Sequence, residues 1–275
     1  MKHILTISLA IILLACGTDD LPTASSSFLV VEGWLTDQDT QQYVRLSRSQ
    51  EFLSSEANRF VSDAEIQVRS SRNEQFTFSH QSNGLYLSDI PFAGQPNSSY
   101  WIRISMPNGS IVESNMEMIP PASEIDSLAF DFYLRPSEED PQIDEKVYYP
   151  IAFAKDEGSA RNYYRWKLYK NDTLFSDPEY LVLLSDRFFD GNAYQNDFTN
   201  FEYQLGDKIT VEKLEISQKA YEYLSLLKSQ TTTLGTVSSV SPAPVKGNLH
   251  YLSSTTQVLG YYGVASVRQD SLRIN

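Results

Sequence analysis

Apolar and polar residues alternate with a period of two along much of the first half of the chain. Val44 and Leu46 fall on one side of a segment, and Tyr43, Arg45 and Ser47 on the other. Ala64, Ile66 and Val68 alternate with Glu65, Gln67 and Arg69, and Tyr100, Ile102 and Ile104 with Trp101, Arg103 and Ser105. Successive side chains leave a pleated backbone on opposite sides, so a repeat of two predicts strands with one buried face. Phe28 to Leu35, Phe76 and Phe78, Leu85 to Leu87, and Ile111 to Glu113 add further short strands. Asn83-Gly84 and Asn108-Gly109 read as hairpin turns, since both residue types tolerate positive φ. Seven short strands divided by turn residues predict a β-sandwich over residues 28–118.

Ile119-Pro120-Pro121-Ala122-Ser123 interrupts this pattern. Two prolines stiffen a connection and cannot sit in a central strand, so a domain boundary is expected here. Residues 123–275 read as a larger β-rich domain. Ile125 to Tyr133 is apolar and aromatic, and Pro136 to Glu145 is an acidic loop. Val147 to Ala154 and Tyr163 to Tyr169 are expected to pair, joined by the polar turn Lys155 to Asn162. Leu181 to Leu184 and Asp207 to Ile216 read as strands, with a long loop from Ser185 to Asn200 between them. Ser217 is a good N-cap for a helix whose Ala220, Tyr223, Leu224 and Leu227 share one face. Ile216 and Tyr221 stand at hydrophobic-staple spacing around that cap. Thr231 to Asn248 is rich in Thr, Ser and Gly, and Leu249 to Leu252, Val258 to Val267 and Leu272 to Ile274 read as closing strands. The expected fold is mainly β: an Ig-like or transthyretin-like sandwich, then a larger β-rich domain with one short α-helix.

A different pattern opens the chain. Met1-Lys2-His3 precedes a mostly apolar run, Ile4 to Leu14 with Thr6 and Ser8 inside it, and then Ala15-Cys16. A basic start, a short apolar core and small residues at its end are the parts of a secretory signal. The run is too short for a spanning helix, which needs roughly 20 residues. Leu13-Leu14-Ala15-Cys16 resembles the lipobox of bacterial lipoproteins. The resemblance implies that residues 1–16 are a lipoprotein signal peptide with its lipobox, that cleavage falls just before Cys16, and that the Cys16 thiol carries diacylglycerol. Residues 17–27 are small, acidic and serine-rich, too poor in apolar surface to order themselves, and read as a flexible tether. Acidic residues after the cysteine resemble the surface-export signal of Bacteroidota lipoproteins, which implies the outer membrane and its exterior face.

Composition narrows the function classes. The net charge is −13, which disfavours nucleic acid and anionic lipid headgroups as partners. Cys16 is the one cysteine, so no disulfide can form within the chain. Hydrophobic residues at 41% and 17 tyrosines with 14 phenylalanines suffice for a real core and favour strands.

Catalytic chemistry finds little support. Beyond the signal the histidines are His80 and His250, and no serine sits in a Gly-x-Ser-x-Gly elbow. No catalytic residue and no cofactor is expected. Two histidines without a free thiol argue against zinc. Asp37 with Asp39, the run Glu138, Glu139, Asp140, Asp144 and Glu145, and the group Asp186, Asp190 and Asn192 offer oxygens, but none follows an EF-hand pattern. All three read as solvated loops and no metal is expected, the loop from Asp186 to Asn192 being the strongest exception. That loop is also where aromatic rings crowd among polar residues: Phe188, Phe189, Tyr194, Phe198, Phe201 and Tyr203. Rings beside hydrogen-bonding groups suit recognition of sugar or protein. Asp186, Phe188, Phe189, Asp190, Asn192 and Tyr194 are therefore the candidate ligand-binding residues.

Several segments together resemble one family. They are Val30-Val31-Glu32-Gly33-Trp34, Tyr163-Tyr164-Arg165-Trp166, Leu184-Ser185-Asp186 with Asp190-Gly191, Ser217 with Ala220-Tyr221, and Gly247-Asn248 with Val258-Leu259-Gly260-Tyr261-Tyr262. In this order they resemble the Bacteroidota lipoproteins of the domain of unknown function four-two-four-nine, over nearly the whole mature chain. The resemblance implies an outer-membrane location and, because members are often encoded beside TonB-dependent receptors, such a receptor as partner. The expectation is a non-enzymatic accessory protein, held by outer-membrane lipid through acylated Cys16, that docks on a TonB-dependent receptor and assists ligand capture or uptake. The alternatives are a stand-alone glycan- or protein-binding surface lipoprotein and, less favoured, a hydrolase.

Overall fold

A computed structural model of the protein describes residues 27–49, 59–158, 160–233 and 245–275, the side chains of 231–233 excepted. The expected signal peptide, Cys16 and nearly all of the expected tether lie outside the described residues. The chain is mainly β, as its alternation predicts. The first half forms β1 (Leu29–Thr36), β2 (Tyr43–Arg48), β3 (Arg59–Phe60), β4 (Glu65–Ser70), β5 (Gln75–Ser82), β6 (Leu85–Ser88), β7 (Ser99–Ser105), β8 (Ile111–Ser114) and β9 (Glu117–Met118). The second half forms β10 (Ile125–Pro136), β11 (Asp144–Lys155), β12 (Tyr163–Lys170), β13 (Thr173–Leu174), β14 (Val182–Ser185), β15 (Ala193–Asp197), β16 (Lys208–Ile216), α1 (Gln218–Thr233), β17 (Lys246–Tyr251) and β18 (Gln257–Arg273).

The seven expected strands of the first half are present, but they do not form a self-contained sandwich. Their order is β1-β2-β6-β5-β4-β7-β8, and β8 then pairs with β17, β17 with β18, and β18 with β1 in parallel. The circuit closes into a nine-stranded barrel-like sheet. Left alone, β1 and β8 would each present unpaired backbone groups, and β18 and β17 cover those edges. Val31, Leu46, Ile66, Ile102 and Ile104 pack inside with Val258, Tyr262 and Val264 from β18. At Asn83-Gly84 both residues have positive φ, as a two-residue hairpin requires. At Asn108-Gly109 only Gly109 does, and Met106 and Ser110 close a longer loop.

Beyond the barrel, β18 continues as one 17-residue strand and pairs with β16, which pairs with β12. One face of this extension is covered by the sheet β10-β11-β15. Tyr164, Trp166, Leu168, Ile209 and Val211 fill that core with Ala152, Phe198, Phe201 and Tyr203. The other face is covered by α1, where Ala220 and Leu224 meet Trp34, Leu214, Ile216 and Tyr261. Ser217 caps α1 as expected: its hydroxyl accepts the Ala220 N–H at 3.1 Å and donates to buried Glu117.

Two expectations are corrected here. The strands at Val147 to Ala154 and Tyr163 to Tyr169 do not pair. The first lies in β11, between β10 and β15, and the second in β12, between β14 and β16. The turn from Lys155 to Asn162 is a crossover between layers, because each strand buries its apolar face against the other's sheet. The long loop from Ser185 to Asn200 contains a 3-10 turn, Asp186–Phe188, and the edge strand β15. The proline segment after β9 is packed at both of its ends. Ile119 is buried in the barrel core, and the Pro120 carbonyl accepts the Ser266 hydroxyl.

Candidate functional site

The crossover after β11 brings Asp156 against the loop from Asp186 to Asn192. Asp156 Oδ2 accepts the Gly158 N–H at 2.9 Å and the Gly191 N–H at 2.8 Å. Its Oδ1 accepts the Tyr164 hydroxyl, and its own N–H donates to the Asn192 carbonyl at 3.0 Å. Gly158 and Gly191 both have positive φ, and a Cβ on Gly158 would lie 2.6 Å from the Gly191 Cα. Only glycines let the two backbones approach this closely. Asp156 is 1% exposed, so this one carboxylate joins the two segments from inside.

The six residues expected to bind a ligand divide by burial. Asp186 is buried, and its Oδ2 accepts the Asn162 N–H at 2.6 Å. Phe188 is 90% exposed at the tip of the loop. Phe189 is half-buried and stacks on Tyr194 at 4.1 Å, and both rings pack toward Tyr164. Asp190 and Asn192 are exposed, and the Asn192 side-chain amide donates to the Asp190 carbonyl at 2.9 Å. Of the other rings in that stretch, Phe198, Phe201 and Tyr203 are core residues at 3% exposure or less, so most of the aromatic crowd supports the loop rather than facing solvent.

Asp156 was missed by the sequence reading. Its signal was the pair Asp156 and Gly158, the spacing at which an Asp side chain accepts the N–H two residues on. Asp156, Asp186 and Asp190 each present a carboxylate oxygen, and these oxygens lie within 4.8 Å of one another. Two ionised groups at that spacing repel by about 3 kcal/mol at an effective dielectric of about 20. The nearest cation to buried Asp186 is Arg161, whose Nε stands 3.9 Å from Oδ1. An open pocket of about 540 Å³ adjoins, lined by Ser123, Glu124, Asp126, Lys155, Asp156, Glu157 and Gly191 among others.

Beneath the pocket, β16 turns two charges toward the core. Lys213 and Glu215 occupy the face that Ile209 and Val211 share, and both are buried. The Lys213 ammonium donates to Ser123 Oγ at 2.8 Å and to the Glu124 carbonyl at 3.1 Å. Glu215 accepts the Ser123 N–H at 2.8 Å and the Asn162 side-chain amide at 3.1 Å. Burial pushes the Glu215 carboxyl up to about 7 against the pull of Ser123, Lys213 and Asn162, and the Asp156 charge adds to the rise. Burial pushes Lys213 down. The imperfect alternation of residues 209–216 was the trace of this pair in the sequence.

Neither histidine belongs to this site. His80 lies in β5 with its ring edge-on to Tyr86, and His250 is exposed on β17. Among the described residues no helix is long and apolar enough to cross a membrane.

The family model described as Domain of unknown function (DUF4249) matches residues 18–271. The chain belongs to that family. A comparison with curated proteins finds no match. The match spans the barrel-like sheet, both outer layers and the Asp156 crossover, so the site lies within the DUF4249 unit. In this DUF4249 chain Asp156→Ala removes the acceptor of two backbone N–H groups and one phenol. The expected result is a loss of about 2–4 kcal/mol, since buried donors left unpaired each cost about 1–3 kcal/mol. Hydrogen exchange checks it: the Gly158 and Gly191 amides should exchange at least tenfold faster while the barrel amides keep their protection.

Proposed function

We propose that this protein is a lipid-anchored accessory protein of the outer membrane, facing the exterior, that docks on a TonB-dependent receptor and assists ligand capture or uptake without catalysing a reaction. The observation that carries the reading is Leu13-Leu14-Ala15-Cys16, the lone cysteine of the chain at the end of its apolar leader. Two acyl chains or more hold a protein firmly where one does not, and lipoprotein processing supplies them. Membership of the DUF4249 family supports it through the resemblance to Bacteroidota lipoproteins. The β10–β11 ribbon supports docking: β15 pairs only with Ile151 to Lys155, and beyond that Phe132, Leu134 and Ile143 are 41%, 58% and 60% exposed. Exposed apolar side chains at the end of such a ribbon suit an interaction surface.

The expected result is that the full chain, extracted in mild detergent, co-purifies with a receptor barrel, and that Leu134→Asp with Ile143→Asp abolishes the association. Cys16→Ser should move the protein from the membrane to the soluble fraction. Recovery of the wild-type chain always alone counts against the docking. One observation favours the second reading, a stand-alone glycan- or protein-binding lipoprotein: Phe188 stands 90% exposed beside Arg187 and Asp190. A glycan array in which Phe188→Ala removes the signal would select that reading.

A further inference from the structure

We propose that Asp156, Asp186 and Asp190 bind one calcium ion at the layer crossover. The inference stands apart from the docking role and concerns a metal that the sequence reading did not expect. Two independent observations carry it. The first is convergence: one oxygen from each carboxylate lies within 4.8 Å of the other two. Ligand oxygens about 2.4 Å from a calcium ion can be up to about 4.8 Å apart across it, so the three oxygens can share one ion.

The second is an orphan. Asp186 is 1% exposed, and its Oδ1 has no hydrogen-bond partner although Oδ2 accepts the Asn162 N–H. A buried carboxylate oxygen without a donor is costly unless a cation faces it. Arg161 forms only a long ion pair with that oxygen, Nε to Oδ1 at 3.9 Å from a side chain 54% exposed, and donates it no hydrogen bond. Asp156 keeps capacity for an ion as well. Three hydrogen bonds occupy its roughly four acceptor sites, leaving a lone pair on Oδ1 beside the Tyr164 hydroxyl. Asp190 is exposed, so the third ligand reaches the ion from the solvent side and water completes the shell. All-oxygen ligation of this kind suits a hard cation that tolerates irregular geometry, which is calcium rather than zinc or magnesium.

The test is calorimetric titration of CaCl2 into the full chain, held in a nonionic detergent after treatment with EDTA. The expected result is one ion per chain, with a dissociation constant of about 10⁻⁴–10⁻³ M, the weak end of the range for calcium modules. Asp190→Asn leaves every described hydrogen bond in place and should weaken binding at least tenfold. Asp186→Asn should abolish it if that variant folds. Absence of binding at about 10 mM, well above that range, overturns the proposal, as does unchanged affinity in Asp190→Asn. Equal affinity for MgCl2 overturns the assignment to calcium.

Discussion

Gly260→Ala is expected to destabilise the protein by about 3–5 kcal/mol, the sum of a left-handed backbone cost and an overpacking cost. Gly260 has φ +90, and a Cβ there would lie 1.9 Å from the Val31 carbonyl oxygen. Val31 is its register partner in the parallel β1–β18 pair that closes the barrel. The clash is with backbone, so no side-chain rotation relieves it. On the other side of the strand a Cβ on Gly247 would lie 1.6 Å from the Gly260 carbonyl oxygen. The β17–β18 ladder is irregular there, and the Asn248 side chain bonds both the N–H and the carbonyl of Tyr262 in its place. The control is Gly109→Ala. Gly109 has φ +81 with nothing within 4 Å, and only the backbone cost of about 1–2 kcal/mol applies. Urea unfolding followed by tryptophan fluorescence measures both. Equal, small losses would mean that closure is not rigid at this point.

Lys213→Met is expected to cost about 3–5 kcal/mol at pH 8, the range for a buried charge deprived of its counterion. At pH 5 the loss should fall to about half or less, because the folded protein then holds Glu215 protonated. Burial raises Glu215 from 4.5 to about 7, so the folded state keeps a proton that the unfolded chain has released. The stability this contributes is complete below about pH 4.5 and is lost as the pH rises through about 7, a span worth about 3 kcal/mol. Without the Lys213 ammonium the carboxyl titrates higher still, and the loss extends to more alkaline pH. Glu215→Gln removes the dependence over this window while keeping an acceptor for Ser123. Chemical denaturation from pH 4.5 to 8 on the three proteins provides the measurement. A Lys213→Met penalty independent of pH would show that the ammonium acts through Ser123 and Glu124 alone.

Local pattern and long-range pairing were unequally legible. Strands β1, β2, β4 and β7 could be read to within a residue or two, because Val44 and Leu46, or Ile102 and Ile104, must face inward for any fold to form. The cap at Ser217 was readable for the same reason, since a hydroxyl before a helical stripe has one local use. Barrel closure was not readable. It depends on Gly260 meeting Val31 across more than 200 residues, and two glycines and an aromatic run show no partner in sequence. The site was half visible. Asp186 and Asp190 stand out in a loop, but Asp156 comes from another layer, and only the crossover brings it to them. The rings of Phe198, Phe201 and Tyr203 looked like a recognition surface because polar residues separate them. In the structure those polar residues face solvent and the rings face inward.

The position of β1 has a mechanical consequence. It is bonded along one edge to β18 over eight register pairs and along the other to β2 over six. A tug from the amino-terminal side, directed along the strand, loads both ladders in shear rather than peeling one bond at a time. Whatever holds the front of this chain therefore pulls on a strand bonded along both edges, and the barrel should stay shut under tension that would unzip a strand lying at a free edge.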